Sequence, residues 1–153
     1  MNIFVLDRCP KKAAQMACDK HVIKMILETA QMLCTVASNH GFKMRYRPTH
    51  HKHPCTLWAG KSQQNWNWLI AHGIALSQEY TVRYNKRHKS QNVIEACGRL
   101  KLPIEKLGLL PFAQAMPSQY RDPDPVTAYQ AYYHGEKAGF ATWKTQTPKW
   151  WRA

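Results

Sequence analysis

The side chains of His21, Lys24, Glu28 and Gln31 follow one another at spacings of three, four and three, which stacks them in a line along one face of a helix. A carboxylate between a lysine and a histidine in a partly buried slot can act as an acid, a base or a stabiliser of cations. The competing reading is a structural ladder of ion pairs, which perturbs ionisation as readily. The background makes the line informative. From Val22 to Ala37 the run VIKMILETAQMLCTVA is apolar almost all the way round. A helix wet on its outside has a broad polar face, whereas this one has room for a stripe only. The stripe must line a cleft or meet polar partners, because a buried unpaired charge is expensive. His21, Lys24 and Glu28 are therefore expected to converge on one cleft.

Three further clusters carry candidate chemistry. The loop holding Arg45, Arg47, His50, His51, Lys52 and His53 is dense in cations and runs into a helix start, which together suit phosphate binding; a solvated basic loop is the alternative. His50, His51, His53 and Cys55 also offer nitrogen and sulfur donors. Their spacing matches no zinc framework and no acidic partner lies nearby, so neither a metal nor another cofactor is expected. Trp58, Lys61, Asn65, Trp68 and His72 recur at helical spacing, usually the mark of a core, with a partly open cleft and an aromatic wall for a base as the other possibility. Tyr80 to Lys89, with Arg83, Lys86 and Arg87 among tyrosines, interleaves cations with aromatics and is the strongest nucleic-acid signal. No serine triad, P-loop or Rossmann glycine pattern is present, and Cys18 and Cys34 lie in apolar, inert surroundings. Nucleophilic chemistry then falls to an amine made reactive by burial, on a lysine or at the N-terminus.

The elements that must position these groups are helical. Asn2 to Leu6 reads as a short strand or extended run, and Pro10 opens a helix to about Ala17. Asp19 is the expected N-cap of the striped helix, which ends near Asn39–Gly41. Pro54 suits the first turn of the next helix; its pattern runs from Thr56 to about Tyr84, with Gly73 marking a bend. Ser90 is expected to cap a helix to about Leu100. Leu102 to Asp124, with four of the nine prolines, reads as a packed irregular loop, and Asp124–Pro125 starts a helix to about Ala138. The expectation is a mainly α-helical protein forming a single domain over residues 1–153.

Composition narrows the partners. Lys and Arg number 22 against 9 Asp and Glu, a formal charge of +13. So basic a small chain points to a polyanion, above all nucleic acid. A membrane surface is the competitor, but no apolar stretch is long enough to span and MNIFVLD has no signal-peptide anatomy. Five scattered cysteines without a CxxC pair suit reduced thiols in a cytoplasm.

The segment CDKHVIKMILE (residues 18–28) resembles the helix of phage pyrimidine-dimer DNA glycosylases of the endonuclease V type, in which an Asp-x-His turn leads to the catalytic glutamate. Glu28 matches that glutamate and His21 that histidine. Lys52-His53-Pro54 before a long helix and the Trp- and Lys-rich tail from Trp143 to Trp151 are similar to two further family features. The resemblance, to a divergent phage-encoded relative, implies a combined glycosylase and AP lyase in a host-cell cytoplasm, without a cofactor. It implies a monomer acting on damaged or modified pyrimidines in double-stranded DNA. An N-terminal amine would form a Schiff base at C1′, with the glutamate assisting. The sequence departs from the family in one respect. Relatives lose Met and expose a small residue, whereas Asn2 is too large for efficient Met removal, so the amine belongs to Met1. The N-terminal segment is also longer by several residues, which places its reach to Glu28 in question and makes Lys24 the alternative amine. The nucleic-acid contacts expected are Arg45, Arg47, His50, His53, Trp58, Lys61, Arg83, Lys86 and Arg87. A base-modifying transferase on altered pyrimidines and a DNA-binding protein without catalysis are the other two readings.

Overall fold

The computed structural model describes residues 1–152. Six α-helices follow an extended N-terminal segment, and among the described residues there is no strand. The helices are α1 (Pro10–Met16), α2 (Asp19–Asn39), α3 (Pro54–Ala59), α4 (Gln63–Tyr84), α5 (Gln91–Gly98) and α6 (Pro125–Tyr132). α6 continues as a π-helical turn, Tyr133–Lys137, and a 3-10 turn spans Ser118–Tyr120. The mainly α architecture is as the periodicity implied.

α4 is the hub. It packs on α1, α2 and α5, while α2 also packs on α3 and α5. Gly73 makes the central crossing possible. A Cβ there would stand 2.9 Å from Thr29 Cγ2 and 3.0 Å from Ile94 Cδ1, so its missing side chain lets α4 approach α2 and α5. α4 continues through it without a break in the helix. The helix expected from Thr56 to Tyr84 is two helices. Gly60 ends α3, and the Ser62 hydroxyl accepts from Asn65 N to start α4, the bond an N-cap supplies.

Other boundaries shift for local reasons. Cys18 precedes α2 and Asp19 is its first helical residue; the carboxylate is taken by Arg83, Thr142 and the Lys144 amide. Ser90 precedes α5 without capping it, its hydroxyl meeting Tyr46 at 2.8 Å. Asp124 does cap α6 through Val126 N.

The N-terminal segment is extended and buried from Asn2 to Leu6. It lies between α2 and α6: Phe4 stacks on His21 at 4.1 Å and meets Tyr129 and Tyr133 edge-on. The chain's C-terminal part covers the start of α2, where Trp143 Nε1 donates to Met16 O and Trp151 stacks on His134.

Candidate active site

α2 is covered on three sides, which leaves Lys20, Ile23, Lys24 and Leu27 outside and Glu28 at the border of the covered surface. Glu28 faces the start of the chain. Its Oε1 lies 3.1 Å from the Met1 amine nitrogen, with the Met1 side chain almost sealed from water and that of Glu28 10 % exposed. The contact is an ion pair, and the Met1 amine is the one partner that Oε1 has among the described residues. On the other oxygen, Lys24 Nζ stands 3.8 Å from Oε2, and the lysine side chain is 74 % exposed. Membership of the N-terminal segment in the core closes the distance that its extra length had placed in question.

Met1 is held from below by α3. Thr56 Oγ1 donates to Met1 Sδ at 3.8 Å. His53, ahead of α3, accepts from Cys55 N through Nδ1, which leaves Nε2 as the protonated nitrogen of the neutral ring. Burial, then the positive charge of the Met1 amine and His50, hold its pKa below the ordinary value. His53 is thus a neutral donor beside the amine at neutral pH, and not the cation expected for a phosphate.

The stripe does not share one cleft. His21 is buried under Phe4, and burial together with Lys137 and Lys24 drives its pKa down to about 3. The Tyr133 hydroxyl accepts from Cys18 N, reaches Cys18 Sγ and lies 2.6 Å from His21 Nδ1, so the ring is hydrogen-bonded within the core. That leaves a neutral histidine inside the core, about two turns of helix away from the amine's carboxylate. Sequence spacing aligned the four side chains correctly; the N-terminal segment then covered one end of the line.

Two expected DNA contacts are also interior. Arg83 has a fully buried side chain that binds Asp19, Glu79, Ala17 O and Gln15 O, leaving no face for a phosphate. Trp58 stacks on Phe112 at 5.1 Å and donates to Leu110 O, so it is core and not a wall for a base. The rest of its face is likewise satisfied: Asn65 binds Trp58 O and Leu110 N, and His72 binds Pro10 O. By contrast Arg45, Arg47, His50, Lys61 and Lys86 are exposed, and none has an ion-pair partner among the described residues. Arg87 is exposed but paired with Glu95 and Asn92.

Asn2 and Tyr129, which the sequence reading did not single out, also stand behind the amine. The signal was available: Asn2 is the one polar residue in the run NIFVL. Among the described residues no three His, Cys, Asp or Glu side chains gather as a metal ion requires. A groove of about 470 Å³ lined by Lys12, Met16, Glu79 and Trp150 lies at the Asp19 end of α2 and holds none of the amine chemistry.

Helices thus gather an amine and a carboxylate in a chain that also carries exposed, unpaired cations, the makings of a helical enzyme on a polyanion. A family model described as pyrimidine dimer DNA glycosylase matches residues 1–92, more than half of the 153, and the chain belongs to that family. Membership carries a DNA glycosylase-like role, with DNA as the substrate. Neither the curated proteins nor the solved structures compared with the chain gave a match. No helix among the described residues is long and apolar enough to cross a membrane.

Proposed function

We propose that this glycosylase is also an AP lyase, acting on damaged or modified pyrimidines in duplex DNA through the Met1 amine and Glu28. One observation carries the reading: the amine and a largely buried carboxylate oxygen are 3.1 Å apart. An amine and a proton acceptor at hydrogen-bond range are the parts that imine chemistry needs.

The amine attacks C1′, and the bond from C1′ to the pyrimidine nitrogen breaks with its electron pair leaving on the base, which takes up a proton. The sugar ring opens as O4′ gains a proton, and C1′ becomes an imine with the Met1 nitrogen. Loss of the C2′ proton then drives elimination of the 3′ phosphate. Glu28 is the acceptor nearest the amine's proton, and it can deliver a proton to O4′ and remove the one at C2′. Lys24 Nζ stands farther from the carboxylate, 3.8 Å against 3.1 Å, on a side chain that is 74 % exposed, which favours Met1 over it. The exposed Arg45, Arg47, Lys61 and Lys86 would hold the phosphate backbone.

The test is borohydride reduction on a duplex with one abasic site, followed by peptide mapping. A covalent adduct on Met1 is the expected result. An adduct on Lys24, or DNA binding with no adduct, overturns the proposed nucleophile.

A further inference from the structure

Chain ends fray unless something ties them down, yet the amine stands within 3.1 Å of Glu28. Burial of the Met1 side chain fixes its position in part. It does not fix the direction in which the amine leaves the core, because that depends on the backbone of the next residue.

Asn2 is 8 % exposed in a segment that is otherwise apolar. Its Nδ2 donates to Ala115 O at 2.8 Å, and its Oδ1 accepts from its own neighbour Ile3 N at 2.8 Å. The Tyr129 hydroxyl donates to the same Oδ1 at 2.8 Å, and the Cys55 thiol reaches it at 3.7 Å. The Tyr129 hydroxyl in turn accepts from Ala115 N, and Ala113 O, also at 2.8 Å, is the alternative acceptor for its one hydrogen. Three segments far apart in sequence therefore grip one carboxamide.

We propose that Asn2 is a positioning residue for the reaction, its gripped carboxamide setting the register and direction that bring the Met1 amine onto Glu28. The inference rests on the amine chemistry proposed above. An apolar side chain would fill the same space and bury as well, but an extended apolar segment slides easily. A slip of one residue moves the terminus by about 3.5 Å, roughly doubling its distance from the carboxylate, and turns each side chain to the opposite face. A single buried amide forbids the slip, since leaving it moves donors and acceptors out of reach of their partners. Buried polar residues that specify register are known from other folds. The gripping groups at Ala113, Ala115 and Tyr129 lie outside residues 1–92, the part of the chain the family model matches, so this device is built by the remainder of the chain.

Two variants test it. Asn2→Asp keeps the shape, and a residue of that size keeps Met1 in place, but it sets an oxygen against Ala115 O. Tyr129→Phe removes one hydroxyl from a residue remote in sequence from the amine. Intact mass first establishes that each protein carries Met1. The rate of borohydride trapping on an abasic duplex is then compared with affinity for a duplex carrying a tetrahydrofuran analogue, which cannot form an imine. The expected result is trapping at least tenfold slower for both variants with affinity within twofold of the unaltered protein. Should Asn2→Asp fail to fold, Tyr129→Phe decides alone. Unaltered trapping rates overturn the role of Asn2 and leave the Met1 chemistry standing; equal losses of rate and affinity also overturn it, marking Asn2 as structural only. An unaltered protein that traps no DNA, or traps it on Lys24, removes the amine reading itself, whatever the variants do.

Discussion

Glu28 meets two positive groups of different standing, the amine of Met1, whose side chain is buried, and Lys24, whose side chain is exposed. Glu28→Gln keeps the shape and removes the proton acceptor. Single-turnover cleavage of an abasic duplex should fall on the order of a hundredfold or more, while affinity for the same DNA barely changes. Full activity in a variant that melts normally would take Glu28 out of the reaction. A second prediction concerns His72, whose ring is buried against Trp68 and whose Nδ1 donates to Pro10 O. Burial lowers its pKa from 6.5 to about 4. Below pH 6.5 the unfolded chain takes up a proton that the folded one refuses, so stability is lost as pH falls from there towards 4. The loss from this group is about 3 kcal/mol. Denaturant midpoints across that window should decline, and His72→Asn, which keeps a donor for Pro10 O, should flatten part of the decline. An unchanged acid limb in His72→Asn would assign the slope elsewhere, with the similarly buried His21 the next group to examine.

At the scale of elements, the site depends on how closely α4 crosses α2, because Thr29 is both the residue after Glu28 and the neighbour of Gly73. Gly73→Ala adds a methyl group where Thr29 Cγ2 and Ile94 Cδ1 already stand within 3.0 Å. Overpacking of this kind costs about 1–3 kcal/mol, offset by roughly 1 kcal/mol of improved helix propensity. The net cost of up to about 2 kcal/mol should lower the melting temperature by up to roughly 8 °C. Cleavage should drop too, since α2 must shift to make room. A rise in melting temperature would show that propensity outweighs the contact. The start of α2 is a different kind of junction: Asp19, Arg83 and Glu79 form a buried charge cluster roofed by Thr142 and Lys144. It ties α2, α4 and the C-terminal segment together.

For the whole molecule, the formal charge of +13 is divided between cations that face solvent and cations spent on holding the fold. Charge reversal at Arg45, Arg47 or Lys86 should weaken binding to any duplex. It should also reduce the salt slope of the affinity by roughly one unit per lost phosphate contact. Arg83→Met should behave oppositely. It strands two carboxylates in the core and should destabilise the fold by about 3 kcal/mol or more, with the salt slope unchanged in whatever remains folded. Fluorescence titrations at several salt concentrations and thermal melts on the same set separate the two groups. A lower salt slope in Arg83→Met would return that residue to the DNA surface.

Much of this was legible in the chain. Helical period placed α2 and marked Glu28 on a polar line, proline and aspartate opened α6, and the segment CDKHVIKMILE resembled the family to which the chain belongs. Those are local properties, set by side-chain spacing along one helix and by backbone preferences of single residues. The sequence could not say which cations face water. Arg83 reads as one more basic residue until Asp19 and Glu79 close around it, and Trp58 reads as a cleft wall until Phe112 stacks on it. Nor could it say whether the first residue reaches the twenty-eighth. Periodicity describes each element alone, whereas burial and reach depend on which segments, distant in sequence, pack on it. Here α3, α6 and the 113–115 loop hold the chain's start against α2, and only their packing brings the amine to Glu28.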